Sequence, residues 1–316
     1  MLEFCRTCCG SWSEDDDAVK LLLVFALAVG VGACRFWYKP VPVANAIGEQ
    51  KAMLGSDTVN VYREQRFEVY GPNSEAVYDG YEQLNRAYRA FERMFGAPAP
   101  RLAVVLSPDT VRSVDSSLAK SFRDRGFTVV EYARPGDFRS PSRYGALGYG
   151  GVVWPIAPTA ARTMLARFVD AQVAVDGHSD TALLDRLPLW YRAAVIHLVG
   201  EAGVGANDLD LVREKRAQLM PIPELLRLVR PSSADSTLDP SRRNDTDDYT
   251  RLFAAQSATV ARYLVEQEGP AVIGRLGRGY LAGRSLNEMI AEMRSAPRTL
   301  QELEQRWKLW VSTSDD

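Results

Sequence analysis

Histidine is nearly absent from this chain of 316 residues: His178 and His197 are the only two. A zinc site built mainly on imidazole is excluded at the outset. Cysteine is scarce and lopsided, with Cys5, Cys8, Cys9 and Cys34 and none beyond. The remainder of the chain therefore holds no internal disulfide, no Cys-based zinc finger and no cysteine nucleophile. An excess of positive charge is also missing. Lys plus Arg total 38 against 40 Asp plus Glu, a net charge of −2, which argues against nucleic acid as a partner. Neither GxSxG, GxxxxGK[ST] nor HxxxH occurs anywhere.

What is present is the balance of an ordinary globular protein, 46% hydrophobic and long enough to bury a sizeable core. The longest apolar run is LLLVFALAVGVGAC at 21–34. As a helix it spans roughly 21 Å, short of the ~30 Å bilayer core, which suits a signal-peptide hydrophobic region. Its end, Val31-Gly32-Ala33-Cys34, resembles a bacterial lipobox, in which small residues admit the peptidase and the thiol takes a diacylglycerol. That resemblance implies lipidation at Cys34 and a protein anchored at the membrane of a bacterial cell envelope. The acidic run SEDDD at 13–17 sits where a signal peptide is basic, so translation is expected to begin near Val19. An uncleaved membrane anchor over 20–38 is the competing reading.

Residues 34–57 read as a tether. From 59 to 71 the chain alternates like a strand or hairpin. Val77, Tyr81, Leu84, Tyr88, Phe91 and Phe95 then recur at steps of three and four. They predict an amphipathic helix over 74–96, with Ser74 as N-cap and Gly96 as terminator. RLAVVLS at 101–107 and FTVVEYA at 127–133 predict strands flanking a helix that starts near Ser107. The Gly-rich stretch 142–158 is expected to form strands with bends. After Thr159 helical periodicity dominates, interrupted by a polar loop at 231–248. The fold class is therefore α+β, with an α/β lobe over 58–177 and a helical lobe over 178–316.

LPLWYRAAVIHLVGE at 187–201 resembles the LPxWxxEGxA segment of peptidase-MA-like zinc metallopeptidases, the gluzincins. AAQSATVARYLVEQEGPAVIGRL at 254–276 is similar to that family's QSxxxxxYLxxxxG helix, and 283–293 and 299–311 resemble its last helices. The resemblance spans 58–312 and implies a thermolysin-like fold. It also implies that MLARFVDAQVAV at 164–175 occupies the place of the HExxH helix. The chemistry does not follow. In that register Arg167 and Ala171 stand at the His positions, Phe168 at the general base and Ala193 at the third ligand. Arg offers no lone pair and repels a cation. No catalytic residue, metal or other cofactor is expected.

Three functions remain in view: a catalytically silent peptidase-like binding or scaffold domain, a metal-dependent hydrolase with a non-standard site, and a structural subunit of a membrane complex. The first predicts a protein or peptide partner and a former cleft lined by Trp154, Trp190 and Tyr191 beside Arg167 and Arg192, suited to a peptide or an acidic ligand. The second needs His178, His197 and Glu201 to converge. Arg167 and Asp170, three apart, predict an intrahelical ion pair, and Phe168 predicts core packing. Arg275, Arg278 and Arg284 line up as a basic helix face suited to anionic head groups.

Overall fold

Five short runs, most of them rich in Val, Tyr and Phe, pair into one mixed sheet in chain order. They are β1 (Gln50–Leu54), β2 (Asp57–Arg63), β3 (Phe67–Gly71), β4 (Leu102–Leu106) and β5 (Thr128–Tyr132). β1 to β3 form antiparallel pairs, whereas β3–β4 and β4–β5 are parallel, with Val69 opposite Val104 and Val104 opposite Val130. A parallel step needs a long return. Here α1 (Ser74–Phe95) and α2 (Ser116–Asp124) lie in those returns. The structure is a computed structural model; it describes residues 50–54, 57–106, 116–132, 156–173, 183–200, 207–228, 243–295 and 297–314. All of them belong to the unit Ile47–Asp316.

Residues 50–57, expected to be tether, instead carry β1 and the start of β2. QKAML has too little apolar alternation to announce a strand, because an edge strand exposed on one side is held by its backbone pairing with β2. Helix α1 follows its apolar stripe as expected. Its N-cap, however, is Asn73 and not Ser74: the Asn73 carboxamide oxygen accepts from the Ala76 N–H at 2.8 Å. Gly96 closes the helix with φ of 64°, and its N–H bonds the Glu92 carbonyl.

Strand alternation sends side chains to both faces of the sheet. Phe67, Val69, Leu102, Val104, Leu106 and Val130 join α1 in the main core. Val61, Tyr70, Ala103 and Val105 face the other way, under Phe122 of α2 and Phe127. Glu68 is buried on that second face. Its carboxylate accepts two bonds from Arg125 at 2.8 and 2.9 Å and one from the Tyr70 hydroxyl at 2.6 Å. A buried charge persists only when paired and hydrogen-bonded in this way.

The rest is helical: α3 (Ile156–Val173), α4 (Leu189–Gly200), α5 (Asn207–Glu214), α6 (Ile222–Arg227), α7 (Arg243–Glu268), α8 (Ala271–Leu281), α9 (Leu286–Ala291) and α10 (Leu300–Thr313). The class is thus α+β, with the sheet in the N-terminal region and helices thereafter. α3 begins at Ile156, inside the stretch expected to be strand, and the described helix α2 begins at Ser116. α7 starts five residues inside the expected loop's end, at Arg243; its polar first turns carry no apolar period to reveal a helix. Deeper in α7, Ala255, Val260, Ala261 and Leu264 are buried. The Gln256 carboxamide bonds both the N–H and the carbonyl of Met220, fixing the extended segment before α6. α10 closes the core with Leu303, Trp307 and Val311. No helix among the described residues is long and apolar enough to cross a membrane. The run 21–34 with Cys34 lies outside the described residues.

Candidate functional site

α3 and α4 carry every position that the peptidase resemblance marks. α3 is anchored at its start from a neighbouring helix: the N–H groups of Ile156 and Ala157 both donate to Gln83 Oε1 of α1, at 3.1 and 3.2 Å. These donors would otherwise be unsatisfied at a buried helix terminus. Along α3, Ala160, Ala161, Met164, Leu165 and Val169 are buried and define its core face.

Phe168 lies on that face. It is 7% exposed, with its ring 4.6 Å from Phe95. Arg167 is half-buried and donates to Asp170 at 3.3 Å, the expected i,i+3 pair. Ala171 is exposed and Ala193 half-buried at the edge of the core. The residues at these positions do not fit zinc. Arg167 presents only donors and is engaged by a carboxylate, while Ala171 and Ala193 carry no ligating atom. Among the described residues, no group of three or more His, Cys, Asp and Glu is placed to hold a metal ion.

The expected aromatic cleft is corrected by the packing. Trp190 and Tyr191 are buried almost completely, so neither lines an open wall. Tyr280 of α8 meets both edge-on, at 6.3 and 5.4 Å between ring centroids. The Tyr191 hydroxyl donates to the Ile273 carbonyl at 2.8 Å. Desolvation holds Tyr191 well above the usual phenol range, and Tyr280 likewise. Two large rings on a short helix resemble a ligand box in sequence, but α8 covers them.

The polar residues of α4 are divided between different partners. Arg192 pairs with Asp185 at 2.6 Å, and His197 Nδ1 lies 3.2 Å from Asp208 of α5. Trp154, His178 and Glu201 fall outside the described residues, so the alternative His/His/Glu set is represented only by His197. Arg167 also borders a hollow of about 450 Å³ against Arg123, Phe127 and Thr128, between α2, β5 and α3. The Gln83 anchor of α3 had no readable signal in the sequence, because it joins residues more than seventy positions apart.

Comparison with protein-family models, with characterised proteins and with solved structures finds no match for this chain.

Proposed function

We propose that this chain is a catalytically silent, peptidase-like domain tethered at a bacterial envelope membrane, and that it works by binding. The observation that carries the reading is the occupancy of α3. Where the resemblance puts a general base, Phe168 is packed against Phe95; where it puts a metal ligand, Arg167 is neutralised by Asp170. Both side chains fill space with ordinary packing and pairing, and a scaffold can outlive its site because function resides in the site.

The test is metal content and proteolysis of the full-length chain, after zinc loading and a chelator-free wash. The expected result is no stoichiometric zinc and no peptide cleavage. About one zinc per chain, lost in His197→Ala, would overturn the reading in favour of a metal-dependent hydrolase. The family resemblance has its own test. If α3 and α4 correspond to the peptidase helix pair, Arg167→His with Ala171→His and Ala193→Glu creates a zinc site; absence of any gain overturns the resemblance.

The tether rests on the run 21–34 and Cys34. Metabolic labelling with an alkyne fatty acid should mark the wild type and not Cys34→Ser. An intact mass that begins at Met1 contradicts the lipoprotein form.

A further inference from the structure

Arg275 and Arg278 are exposed on α8, whereas Arg284 lies beyond its end, so the three do not share one helix face. α8 ends at Leu281, and Ser285 then starts α9 with a reciprocal cap: its hydroxyl accepts from the Glu288 N–H, and Glu288 bonds back to the Ser285 N–H. That cap turns α9 back, so that Met289 packs against Gly279 of α8. Between the two helices opens a groove of about 810 Å³. The buried Leu276, Gly279, Met289 and Met293 give it an apolar floor, and its walls carry four arginines, Arg275, Arg278, Arg284 and Arg294, together with the carboxylates of Glu268 and Glu292.

We propose that this groove is a binding site for an acidic peptide segment, with carboxylates on Arg278 and Arg294 and an apolar side chain on the methionine floor. Charge complementarity carries the assignment. Arg275 is held by Glu268 at 3.2 Å and Arg284 by Glu292 at 2.5 Å. Among the described residues, Arg278 and Arg294 meet no carboxylate, and Arg278 makes only a long 3.4 Å bond to the Phe95 carbonyl. The two carboxylates of the lining are thus taken by Arg275 and Arg284, and two guanidiniums with no carboxylate among the described residues border the same concavity in a chain of net charge −2. A planar guanidinium takes a carboxylate through two parallel bonds.

Shape selects among anions. A bilayer surface is broad and cannot enter a concave groove, while inorganic phosphate is too small for this volume and leaves the apolar floor wet. A peptide bearing alternate acidic and apolar side chains satisfies both walls and floor. Methionine is unbranched and polarizable, which lets such a floor adapt to different apolar side chains. The groove is also preformed at one end. The Glu268 side chain, 7% exposed, joins Arg275 to the backbone N–H of Ser295, so less ordering is left to binding. The site is separate from α3 and α4, so a zinc-loaded chain would keep it and the two tests fail independently.

The experiment is fluorescence anisotropy of the full-length chain with a labelled octapeptide of alternating Asp and Leu. Saturable binding is expected, weakening as salt rises. Arg278→Glu with Arg294→Glu should reduce affinity about tenfold or more, as loss of charge-assisted bonds requires. Arg162→Glu, an exposed charge reversal on α3, should leave it unchanged. Arg294→Ala alone removes a side chain with no described ion pair, and its smaller loss keeps the test decisive should the double variant fold poorly. Absence of saturable binding, equal affinity for a Lys–Leu octapeptide, or unchanged affinity in Arg294→Ala and the double variant each overturn the proposal. So does full displacement by inorganic phosphate, or binding only to phosphatidylglycerol vesicles.

Discussion

The hydroxyl of Tyr191 and the backbone carbonyl of Ile273 meet at 2.8 Å, joining α4 to α8 across 82 positions of sequence. Gly277 makes the meeting possible. A Cβ at that position would lie 2.5 Å from the Tyr191 hydroxyl and 3.2 Å from the Phe168 ring. Gly277→Ala should therefore destabilise by roughly 1–3 kcal/mol through overpacking. Tyr191→Phe should cost about 1 kcal/mol for the lost bond. Because the nearest clashing atom is the hydroxyl itself, the double variant should cost less than the two singles together. Denaturant midpoints of the four proteins check the cycle; strict additivity would contradict the contact.

Phe168 separates a filled core position from a working site. Phe168→Ala should destabilise by roughly 3–4 kcal/mol, the range for removing a buried ring that leaves a cavity. Arg167→Ala, which removes a partly solvated ion pair, should cost less than about 1 kcal/mol. Thermal or chemical unfolding reads both. A small effect at Phe168 would place its ring outside the core.

The start of α1 distinguishes two adjacent residues. Asn73→Ala removes the cap and should cost about 1 kcal/mol, whereas Ser74→Ala should stay within about 0.5 kcal/mol. Reversal of that order would restore Ser74 as the cap.

Alkaline pH should unfold the protein through its buried phenols. Burial raises Tyr88, Tyr191 and Tyr280 above the usual value of 10.0, and raises Tyr70 together with its bond to Glu68. A group whose folded pKa is raised binds more protons folded than unfolded. Its stabilisation is complete below the unfolded value near 10.0 and is lost as pH rises toward the folded value. Stability should thus be insensitive to these groups at neutral pH and fall steeply above about pH 10. Their tyrosinate absorbance should appear together with unfolding, and a smooth titration in the folded state would show that they are accessible.

The alternation and helical steps of the sequence were enough for most of the elements. Apolar runs such as 102–106 and the three–four spacing of α1 record burial directly, because strand and helix each bring a fixed set of positions to one face. β1 escaped because an edge strand needs backbone partners more than apolar side chains. The Asn73 cap escaped because Ser74 is an equally good capping residue one position on. Both errors are local and concern choices that flanking structure makes.

The candidate sites were less legible, for a different reason. From the sequence by itself, Arg167, Phe168, Ala171 and Ala193 lack the lone pairs that zinc requires, and no later cysteine or HxxxH replaces them. That much is chemistry of residue type and needs no coordinates. Only the tertiary structure decided that Trp190 and Tyr191 are core, since it is α8, some eighty residues away, that closes over them. It also decided that, among the described residues, Arg275 and Arg284 meet a carboxylate while Arg278 and Arg294 do not: Glu268 at the end of α7 reaches Arg275, and the turn at Ser285 brings Glu292 back to Arg284. Residue type limits the chemistry available to a side chain; which side chains are buried, paired or gathered into one groove depends on contacts between distant segments, formed only when the chain packs.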